Sequence, residues 1–354
     1  MKQKILYIVL TICIATAVVV VLFLTSEHLM KKENPFVRRF LPNPISDVRG
    51  LELPYNSYYL AGLEKDSIYL GNYTAPLHGL IVSTKPEIVD TLKLNLQNFK
   101  RHHFGSIKWT IFNDSIFLND STSSLFYKGS IKAQELIQLK SADTLNYSLA
   151  LPINQNSYVL RTFNRNKNNV GLGILNTSIY SFTKRDHIFE EANQPQDLFS
   201  NDGMLLYNEY LKKIIYVFYY KNSVLTFDIY LKNKHVLHTI DTISTPNFKV
   251  EYLAKQQQLK RNTNAIKVNK MAATSGNYLY IASDRIGKNE RKKMYNEATI
   301  IDVYNLSNYT YSHSFYFYHY QNTPITQMHV YDNYIIGIGK NQLSIAKFKK
   351  SIYD

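Results

Sequence analysis

The sequence predicts an all-β protein, a six-bladed β-propeller that follows an N-terminal transmembrane helix. Three observations support this prediction. The chain has 354 residues with 29 Tyr and 18 Phe, a composition that favours strands over helices. A polar turn followed by an alternating strand recurs along most of the chain. The spacing of these units is close to the roughly 40–50 residues of a four-stranded propeller blade.

The first element is the apolar run at residues 5–24, which contains no charged residue. Twenty helical residues at about 1.5 Å each cover the roughly 30 Å hydrocarbon core of a bilayer. We therefore expect an anchor at residues 5–24 behind a short N-terminus at residues 1–4. A cleaved signal peptide is the first alternative, but its apolar region is usually about 7–15 residues long and ends in small residues. A lipoprotein signal around Cys13 is the second, but Ile12 is larger than the residue expected before a lipidated cysteine.

The charges flanking the run bear on its orientation. Lys2 and Lys4 favour a cytoplasmic N-terminus, although four basic residues also follow the run within residues 31–39. No cysteine follows Cys13, which excludes a disulfide scaffold, a cysteine nucleophile and cysteine-ligated zinc from the globular part. A single anchor before a cysteine-free β domain is more often exported. We predict a single-pass protein of the inner (cytoplasmic) membrane with its globular domain on the periplasmic, extracytoplasmic side.

Residues 25–46 form a polar, basic connector with three prolines. The composition predicts a stalk or linker. Phe36, Arg38, Arg39 and Phe40 could lie against the membrane or against the globular domain, and the sequence leaves both arrangements open.

The propeller domain is predicted over residues 47–350. Its polar turns start at positions 66, 114, 156, 202, 277 and 333, separated by 48, 42, 46, 75 and 56 residues. Two insertions, at residues 245–270 and 284–296, account for the longer intervals, but a seventh blade near residues 222–229 is the alternative. The last unit lacks a fourth strand. Residues 48–53 are predicted to supply it, which would close the ring and remove exposed sheet edges.

Two local predictions accompany this scheme. A short helix is expected at residues 256–264, inside the first insertion. The densest aromatic run lies at residues 309–320, where alternation puts Phe315 and Phe317 on one face and tyrosines on the other. Because both faces are aromatic, the run predicts a strand packed between two neighbouring blades rather than a stacking platform for a ligand.

Several blade motifs carry a resemblance to known proteins. They are Asp202-Gly203, Thr239-Ile240-Asp241-Thr242, Ile301-Asp302-Val303-Tyr304 and Ser314-Phe315-Tyr316. With these motifs the chain resembles uncharacterised bacterial membrane-anchored six-bladed β-propeller proteins of the TolB-like or NHL-like class, over roughly residues 36–350. The resemblance implies the fold and no particular activity.

Catalytic signatures are absent from the sequence. Gly171-Leu172-Gly173 lacks the third glycine of a dinucleotide-binding loop, and no metalloprotease, serine hydrolase or EF-hand motif occurs. The adjacent His102 and His103 would point to opposite faces of a strand. The other paired histidines are His235, His238, His313 and His319. We predict no cofactor and no metal, although a metal site assembled from several blades near the axis stays open.

Acidic residues open several of the polar turns: Asp66, Asp114, Asp202 and Asp332. Asp side chains form hydrogen bonds to their own backbone in turns, so these residues are interpreted as turn formers. Turns of this kind can also supply ligand-binding groups at one end of a propeller. Four basic residues flank strand ends and are interpreted mainly as solvated surface residues. The alternative is that they line a funnel on the propeller axis. They are Arg161, Arg165, Arg285 and Lys288.

The formal net charge of +14 suits an anionic membrane surface or an acidic polymer. The predicted partner contacts lie in the two basic insertions and are Arg285, Lys288, Arg291, Lys292, Lys293, Lys260 and Arg261. The leading interpretation is a binding or scaffold module for a protein or an anionic polymer. Nucleic acid is not expected outside the cytoplasm. A propeller lyase or hydrolase with an axial His/Asp or metal site, and a small-ligand sensor, are the alternatives.

Overall fold

The structure is a computed structural model of the chain. It describes residues 2–30, 33–97, 105–139, 145–164, 169–190, 198–248, 250–253, 258–261 and 265–349. Helix α1 (Lys2–Met30) is followed by six antiparallel sheets that form the blades of a propeller. The six-bladed prediction is confirmed, and the seven-bladed alternative is not favoured.

The blades are numbered along the chain, and each contains four strands of the meander. Blade 1 comprises Tyr58–Glu64, Ser67–Asn72, His78–Ser83 and Ile88–Lys93; blade 2 comprises Ile107–Phe112, Ser115–Asp120, Leu125–Ser130 and Glu135–Leu139; blade 3 comprises Tyr147–Asn154, Ser157–Asn164, Asn169–Asn176 and Ser181–Arg185. Blade 4 comprises Gly203–Asn208, Lys213–Phe218, Ser223–Asp228 and His235–His238; blade 5 comprises Asn269–Ser275, Tyr278–Ser283, Ala298–Asn305 and Thr310–Tyr318; blade 6 comprises Gln327–Tyr331, Tyr334–Gly339, Gln342–Lys347 and Arg49–Glu52. The first strands of neighbouring blades contact one another around the ring, so they enclose the central axis.

Four shorter features of the described residues lie outside this scheme. Asn95–Leu96 adds a short parallel strand to blade 2. A hairpin of Val250–Leu253 and Gln258–Arg261 lies in sequence between blades 4 and 5. Helix α2 (Lys292–Glu297) lies between the second and third strands of blade 5, and Tyr320–Asn322 forms one 3₁₀ turn.

The ring closes with strands from both parts of the chain. Arg49–Glu52 pairs antiparallel with Gln342–Lys347, and Leu51 lies opposite Leu343. This is the closure predicted from the sequence. Since the pairing covers the outer edge of Gln342–Lys347, it protects that strand from pairing with another chain.

The core lies between the blades rather than inside one sheet. Between blades 1 and 6, Ile68 and Leu70 pack in one cluster with Ile336 and Ile338, and all four side chains are at most 1% exposed. Adjacent residues of these strands belong to the cluster on the opposite face. Each fully buried Ile or Leu contributes about 1.5–3 kcal/mol relative to an exposed side chain, so the alternating pattern stabilises both faces of every blade.

The repeat predicted from the sequence shifts by one strand in blade 4. The turn at Asp202 precedes the first strand, Gly203–Asn208, whereas the corresponding turns of the other blades precede the second strand. The second strand, Lys213–Phe218, follows the turn Glu209-Tyr210-Leu211-Lys212. Because two residues of this turn are apolar, it lacks the polar pattern that marks the corresponding turns of the other blades. The suspected seventh blade is the third strand of blade 4, Ser223–Asp228.

The helix predicted at residues 256–264 is wrong within the described residues. Gln258–Arg261 is a strand paired with Val250–Leu253. Cross-strand hydrogen bonds with a nearby partner strand satisfy the backbone here, whereas an isolated helix this short is only marginally stable.

The connector after α1 lies along the propeller. We call residues 33–48 the strap. Phe40 forms a parallel bridge with Ser314 in the outermost strand of blade 5, and Ile45 forms an antiparallel bridge with Phe348 after blade 6. The strap therefore contacts two blades before it continues into the closing strand.

The aromatic strand of blade 5 has a different neighbour on each face. Phe315 and Phe317 are fully buried in the cluster with blade 6. On the other face, the ring of Tyr316 stacks on Phe40 of the strap, with centroids 4.5 Å apart and planes 8° apart, and Tyr318 is 49% exposed. The prediction that neighbouring blades cover both faces is right for the phenylalanines. The strap covers Tyr316.

Helix α1 contains an apolar stretch, Gln3–Leu22, that is long enough to cross a membrane. Its side chains are exposed within the described chain. The stretch fits a membrane anchor, and a signal sequence near an N-terminus also meets these criteria of length and hydropathy.

Candidate functional site

A cavity of about 620 Å³ lies on the propeller axis. Residues from the first strands of all six blades line it. Small residues leave the space open, including Ala61, Gly62 and Ala272. Gly62 lies at a register shift in blade 1 with φ +153°, and a Cβ there would lie 2.9 Å from the Cβ of Ile111 in blade 2. The sequence thus combines small residues with one close backbone approach to form the cavity wall.

The two ends of the propeller differ. We call the end at which the first strands begin the proximal end; it also carries the connection at residues 284–297 in blade 5. The distal end carries the turns that follow the first strands, at residues 65–66, 113–114, 155–156, 209–212, 276–277 and 332–333. The cavity is lined by the later halves of the first strands and reaches these distal turns.

Three carboxylates lie at the distal mouth of the cavity, on Glu64, Glu209 and Asp332. Glu209 also accepts a hydrogen bond from Nδ2 of Asn113 at 3.0 Å, which links blades 2 and 4. Burial, followed by the negative charge of these three carboxylates, raises the pKa of Tyr331. Carboxylates from three different blades therefore all lie close enough to disfavour deprotonation of the Tyr331 hydroxyl. The mouth is acidic although the net charge of the chain is +14.

Aromatic rings accompany the carboxylates at the mouth. Tyr210 is 71% exposed and Tyr331 is 38% exposed, and Phe112 and Tyr207 line the cavity behind them. The rings of Phe112 and Tyr207 lie 6.1 Å apart. Exposed aromatic faces beside carboxylates favour cationic groups, because both attract positive charge.

His329 contributes a polar ring to the cavity wall in the first strand of blade 6. Burial lowers the pKa of His329 to about 4, so the imidazole is neutral near pH 7. A neutral imidazole is both a donor and an acceptor, so His329 is able to bind a polar group inside the cavity.

The predicted histidine pairs do not converge on the axis. His235 and His238 lie in the outermost strand of blade 4. His313 is 7% exposed in blade 5, and Nε2 of His319 lies 3.1 Å from Oγ1 of Thr299. His102-His103 lie outside the described residues. Within the described ranges, no three His, Cys, Asp or Glu residues are grouped to hold a metal ion.

The arginines that the sequence suggested for an axial funnel either bind other residues or lie outside the described residues. Nη2 of Arg161 donates to Oδ1 of Asp202 at 2.9 Å, and its Nε donates to the hydroxyl of Tyr216 at 2.9 Å. Arg165 lies outside the described residues. Arg161 thus connects blades 3 and 4 instead of facing a ligand.

The predicted partner contacts fall into three groups. Arg285 is only 6% exposed; its Nε donates to Asp241 and its Nη2 donates to Asn34 of the strap. Burial and these bonds remove Arg285 from any contact surface. The exposed members are Lys288, Arg291, Lys292 and Lys293. Lys260 and Arg261 belong to the strand Gln258–Arg261, whose side chains lie outside the described set.

The exposed basic residues lie beside the beginning of the strap. The amide of Lys288 donates to the carbonyl of Phe36 at 2.8 Å, and the amide of Asn34 donates to the carbonyl of Ile286 at 3.0 Å. The amide of Asn289 donates to Oε1 of Glu33 at 2.6 Å. The chain that follows α1 is therefore attached to the proximal end of the propeller.

Sequence reasoning missed the mouth of the cavity. The sequence indicates Asp332 mainly as a turn former, with a ligand-binding role as the alternative, and no motif singles out Glu64, Glu209 or His329. One signal was available: five of the six polar turns follow the first strand of a blade, so their side chains gather at one end of the axis.

No known family profile matches the sequence, and no curated protein matches it. Among solved structures, the chain resembles a member of the DUF4221 family from Bacteroides vulgatus, with a TM-score of 0.52 and 13% identity over 86% of this chain and 97% of that chain. An exported protein from Bacteroides fragilis has a TM-score of 0.48 and 8% sequence identity, over 90% of this chain and 99% of that chain. Virginiamycin B lyase from Staphylococcus aureus has a TM-score of 0.46 and 10% sequence identity, over 86% of this chain and 99% of that chain. The first similarity shows the propeller fold alone, and the other two are too weak to support an argument.

Proposed function

We propose that this chain is a membrane-anchored binding protein whose propeller takes up a cationic group of its ligand at the distal mouth of the axial cavity. The propeller stands on the extracytoplasmic side. The positively charged group of the ligand lies against the mouth, and the remainder enters the cavity or extends over the distal end.

The axial cavity is the observation that carries this proposal. Its volume of about 620 Å³ falls within the roughly 300–1,000 Å³ of small-molecule sites. Six separate blades contribute to its wall, so the propeller holds the site in a fixed shape before the ligand arrives. A preformed site loses less conformational entropy on binding.

The chemistry of the mouth supports a cationic ligand. Glu64, Glu209 and Asp332 attract an ammonium or guanidinium group, and Tyr210 and Tyr331 offer aromatic faces for the same group. The same mouth would repel an anionic polymer. The partner predicted from the basic insertions therefore has no complementary surface at this end.

The position of the anchor supports binding at the distal end. The strap joins the propeller at the proximal end through Lys288 and Asn289, whereas the cavity reaches the distal turns. With α1 in a membrane, the mouth is accessible to ligands in the adjacent aqueous compartment.

Isothermal titration on the full chain in detergent tests this function. The probes are spermidine, a lysine-rich peptide and a neutral disaccharide. We expect a cationic probe to bind and the disaccharide not to bind. The variant Glu64→Gln/Glu209→Gln/Asp332→Asn should weaken binding at least tenfold, because each substitution removes a charge from the mouth. The matched control, Glu87→Gln/Asp90→Asn/Glu135→Gln, removes three exposed acidic charges from outer strands and turns and should bind as the original chain does.

The two cationic probes separate the possible ligand sources. Preference for spermidine indicates a small amine, and preference for the peptide indicates a basic segment of a protein partner. Equal loss of binding in the control variant, or binding of neither cationic probe, contradicts the proposal. Chemical conversion of a bound probe would favour the propeller enzyme over the binding module.

The side of the membrane has its own test. Protease added to intact spheroplasts should digest the propeller, because the proposal puts this domain outside the cytoplasm. Protection of the domain until the membrane is permeabilised would contradict the orientation.

A further inference from the structure

The second feature of interest is the proximal loop, residues 284–297 in blade 5. Four of its basic residues are exposed within six positions: Lys288, Arg291, Lys292 and Lys293. The axial cavity does not use them, and they lie at the other end of the propeller from its mouth.

The acidic residues of the proximal loop are largely engaged. Glu290 accepts from Nη1 of Arg38 at 2.8 Å, and its side chain is only 5% exposed. Asp284 lies 3.2 Å from Nζ of Lys270. Glu297, at 3.4 Å from Lys293, is the more exposed carboxylate. The proximal loop therefore presents a positive surface.

The strap limits how far this surface can lie from a membrane that contains α1. The apolar stretch ends at Leu22 and the helix ends at Met30, which adds about 12 Å at 1.5 Å per residue. Three further residues reach Glu33 and add at most about 11 Å. Oε1 of Glu33 accepts a hydrogen bond from the amide of Asn289 at 2.6 Å. The strap therefore contacts the proximal loop through a residue that lies within roughly 23 Å of the end of the apolar stretch along this path.

We infer that the proximal loop docks on the anionic phospholipid headgroups of the membrane that holds α1. The headgroup layer extends roughly 5–8 Å beyond the hydrocarbon core, and surface charges act over about 8–10 Å at physiological ionic strength. Lys and Arg side chains of the loop can therefore reach the layer. Each basic residue close to an anionic surface favours the docked state by about fivefold.

Docking would fix the orientation of the propeller. With the proximal loop on the headgroups, the distal mouth of the cavity points away from the membrane. The basic insertion then binds lipid, rather than the soluble anionic partner predicted from the sequence. This inference is independent of the proposed ligand of the cavity.

Energy transfer in lipid nanodiscs tests the docking. The full chain carries Cys13→Ser to remove its only cysteine and Asn296→Cys, at an exposed position of α2, for a donor dye. The acceptor is a headgroup-labelled phospholipid. We expect higher transfer in discs with 30% phosphatidylglycerol than in pure phosphatidylcholine, and we expect about 0.5 M NaCl to remove the difference by screening.

A charge variant and a matched control assign the effect to the loop. Neutralising the four exposed residues, as Lys288→Gln/Arg291→Gln/Lys292→Gln/Lys293→Gln, should lower transfer in phosphatidylglycerol discs to the value in phosphatidylcholine. The control neutralises four exposed lysines of distal turns, as Lys65→Gln/Lys85→Gln/Lys132→Gln/Lys232→Gln, and should keep the difference.

The comparison of lipids and salt uses one and the same labelled chain and needs no folding control, because only the solvent and the lipid change. Equal transfer in the two kinds of disc would overturn the inference and leave the proximal loop free for a soluble anionic partner. Equal loss in the distal control would also overturn it, since the effect would then come from net charge alone.

Discussion

The guanidinium of Arg38 in the strap forms a bidentate ion pair with the carboxylate of Asp302 in blade 5, although the two residues are 264 positions apart in the sequence. Nε donates to Oδ1 at 2.7 Å and Nη2 donates to Oδ2 at 3.1 Å. Nη1 of Arg38 also donates to Glu290 of the proximal loop. Two acidic groups and one arginine, all nearly excluded from solvent, thus join the strap, the proximal loop and the blade.

Arg38→Met should destabilise the protein by about 3–5 kcal/mol, because two buried carboxylates then lose their positive partner. The matched control is Glu297→Gln, which breaks the exposed pair with Lys293 and should cost about 0.5 kcal/mol or less. Urea unfolding measures both variants through the single tryptophan, Trp109, which is fully buried. A loss below about 1 kcal/mol for Arg38→Met would show that water replaces the missing charge.

Two fully buried tyrosines should respond in opposite ways to loss of their hydroxyl groups. The hydroxyl of Tyr216 donates to the carbonyl of Asn201 at 2.7 Å and accepts from Nε of Arg161 at 2.9 Å. The hydroxyl of Tyr158 has no hydrogen-bond partner within the described residues. Tyr216→Phe should therefore cost about 1–3 kcal/mol, since it leaves partners unsatisfied, whereas Tyr158→Phe should be neutral or stabilising.

Thermal unfolding of the two variants side by side checks this pair. Both substitutions remove the same atom from a buried ring, so the difference between the melting temperatures reports the hydrogen bonds alone. Equal shifts for the two variants would contradict the assignment.

The blade number and the closing strand could be predicted from the sequence because both depend on local signals. Polar turns before alternating strands mark the units, and the missing fourth strand of blade 6 points to residues 48–53. The ion pair of Arg38 could not be predicted in this way. A single basic residue in a polar connector carries no information about a partner 264 positions away. The cavity also arises only when six distant strands meet at the axis.

The backbone of the closing strand approaches an aromatic ring at Gly50. A Cβ at this position would lie 2.2 Å from Cδ1 of Tyr320. Gly50→Val should therefore destabilise the closure by about 1–3 kcal/mol through overpacking. Tyr320→Ala in the same chain should restore part of that loss, since it removes the ring.

Gly276→Asn is the control for the loss of a glycine. Gly276 has φ +53°, and a Cβ added there would meet no neighbouring atom within 4 Å. Asn tolerates this backbone conformation. The unfolding free energy of this variant should change by about 0.5 kcal/mol or less. If Tyr320→Ala does not relieve Gly50→Val, the contact with the ring is not the cause of the destabilisation.

The stability of the propeller should fall as the pH drops from 7 to 5. Burial, assisted by the positive charge of Arg39, lowers the pKa of His313 to about 4, and burial alone lowers that of His329 to about 4. In the unfolded chain, a histidine titrates near pH 6.5. Between about pH 6.5 and 4 the unfolded state therefore binds more protons than the folded state, and acidification favours unfolding. Each histidine accounts for at most about 2 kcal/mol between pH 7 and 5.

Urea unfolding at pH 7, 6 and 5 measures this slope. His313→Gln and His329→Gln should each reduce the loss of stability between pH 7 and 5, because Gln does not take up a proton in either state. His78→Gln, which removes an exposed ring in blade 1, is the matched control. A slope that persists in the His313→Gln/His329→Gln double variant would assign the acid sensitivity to other groups.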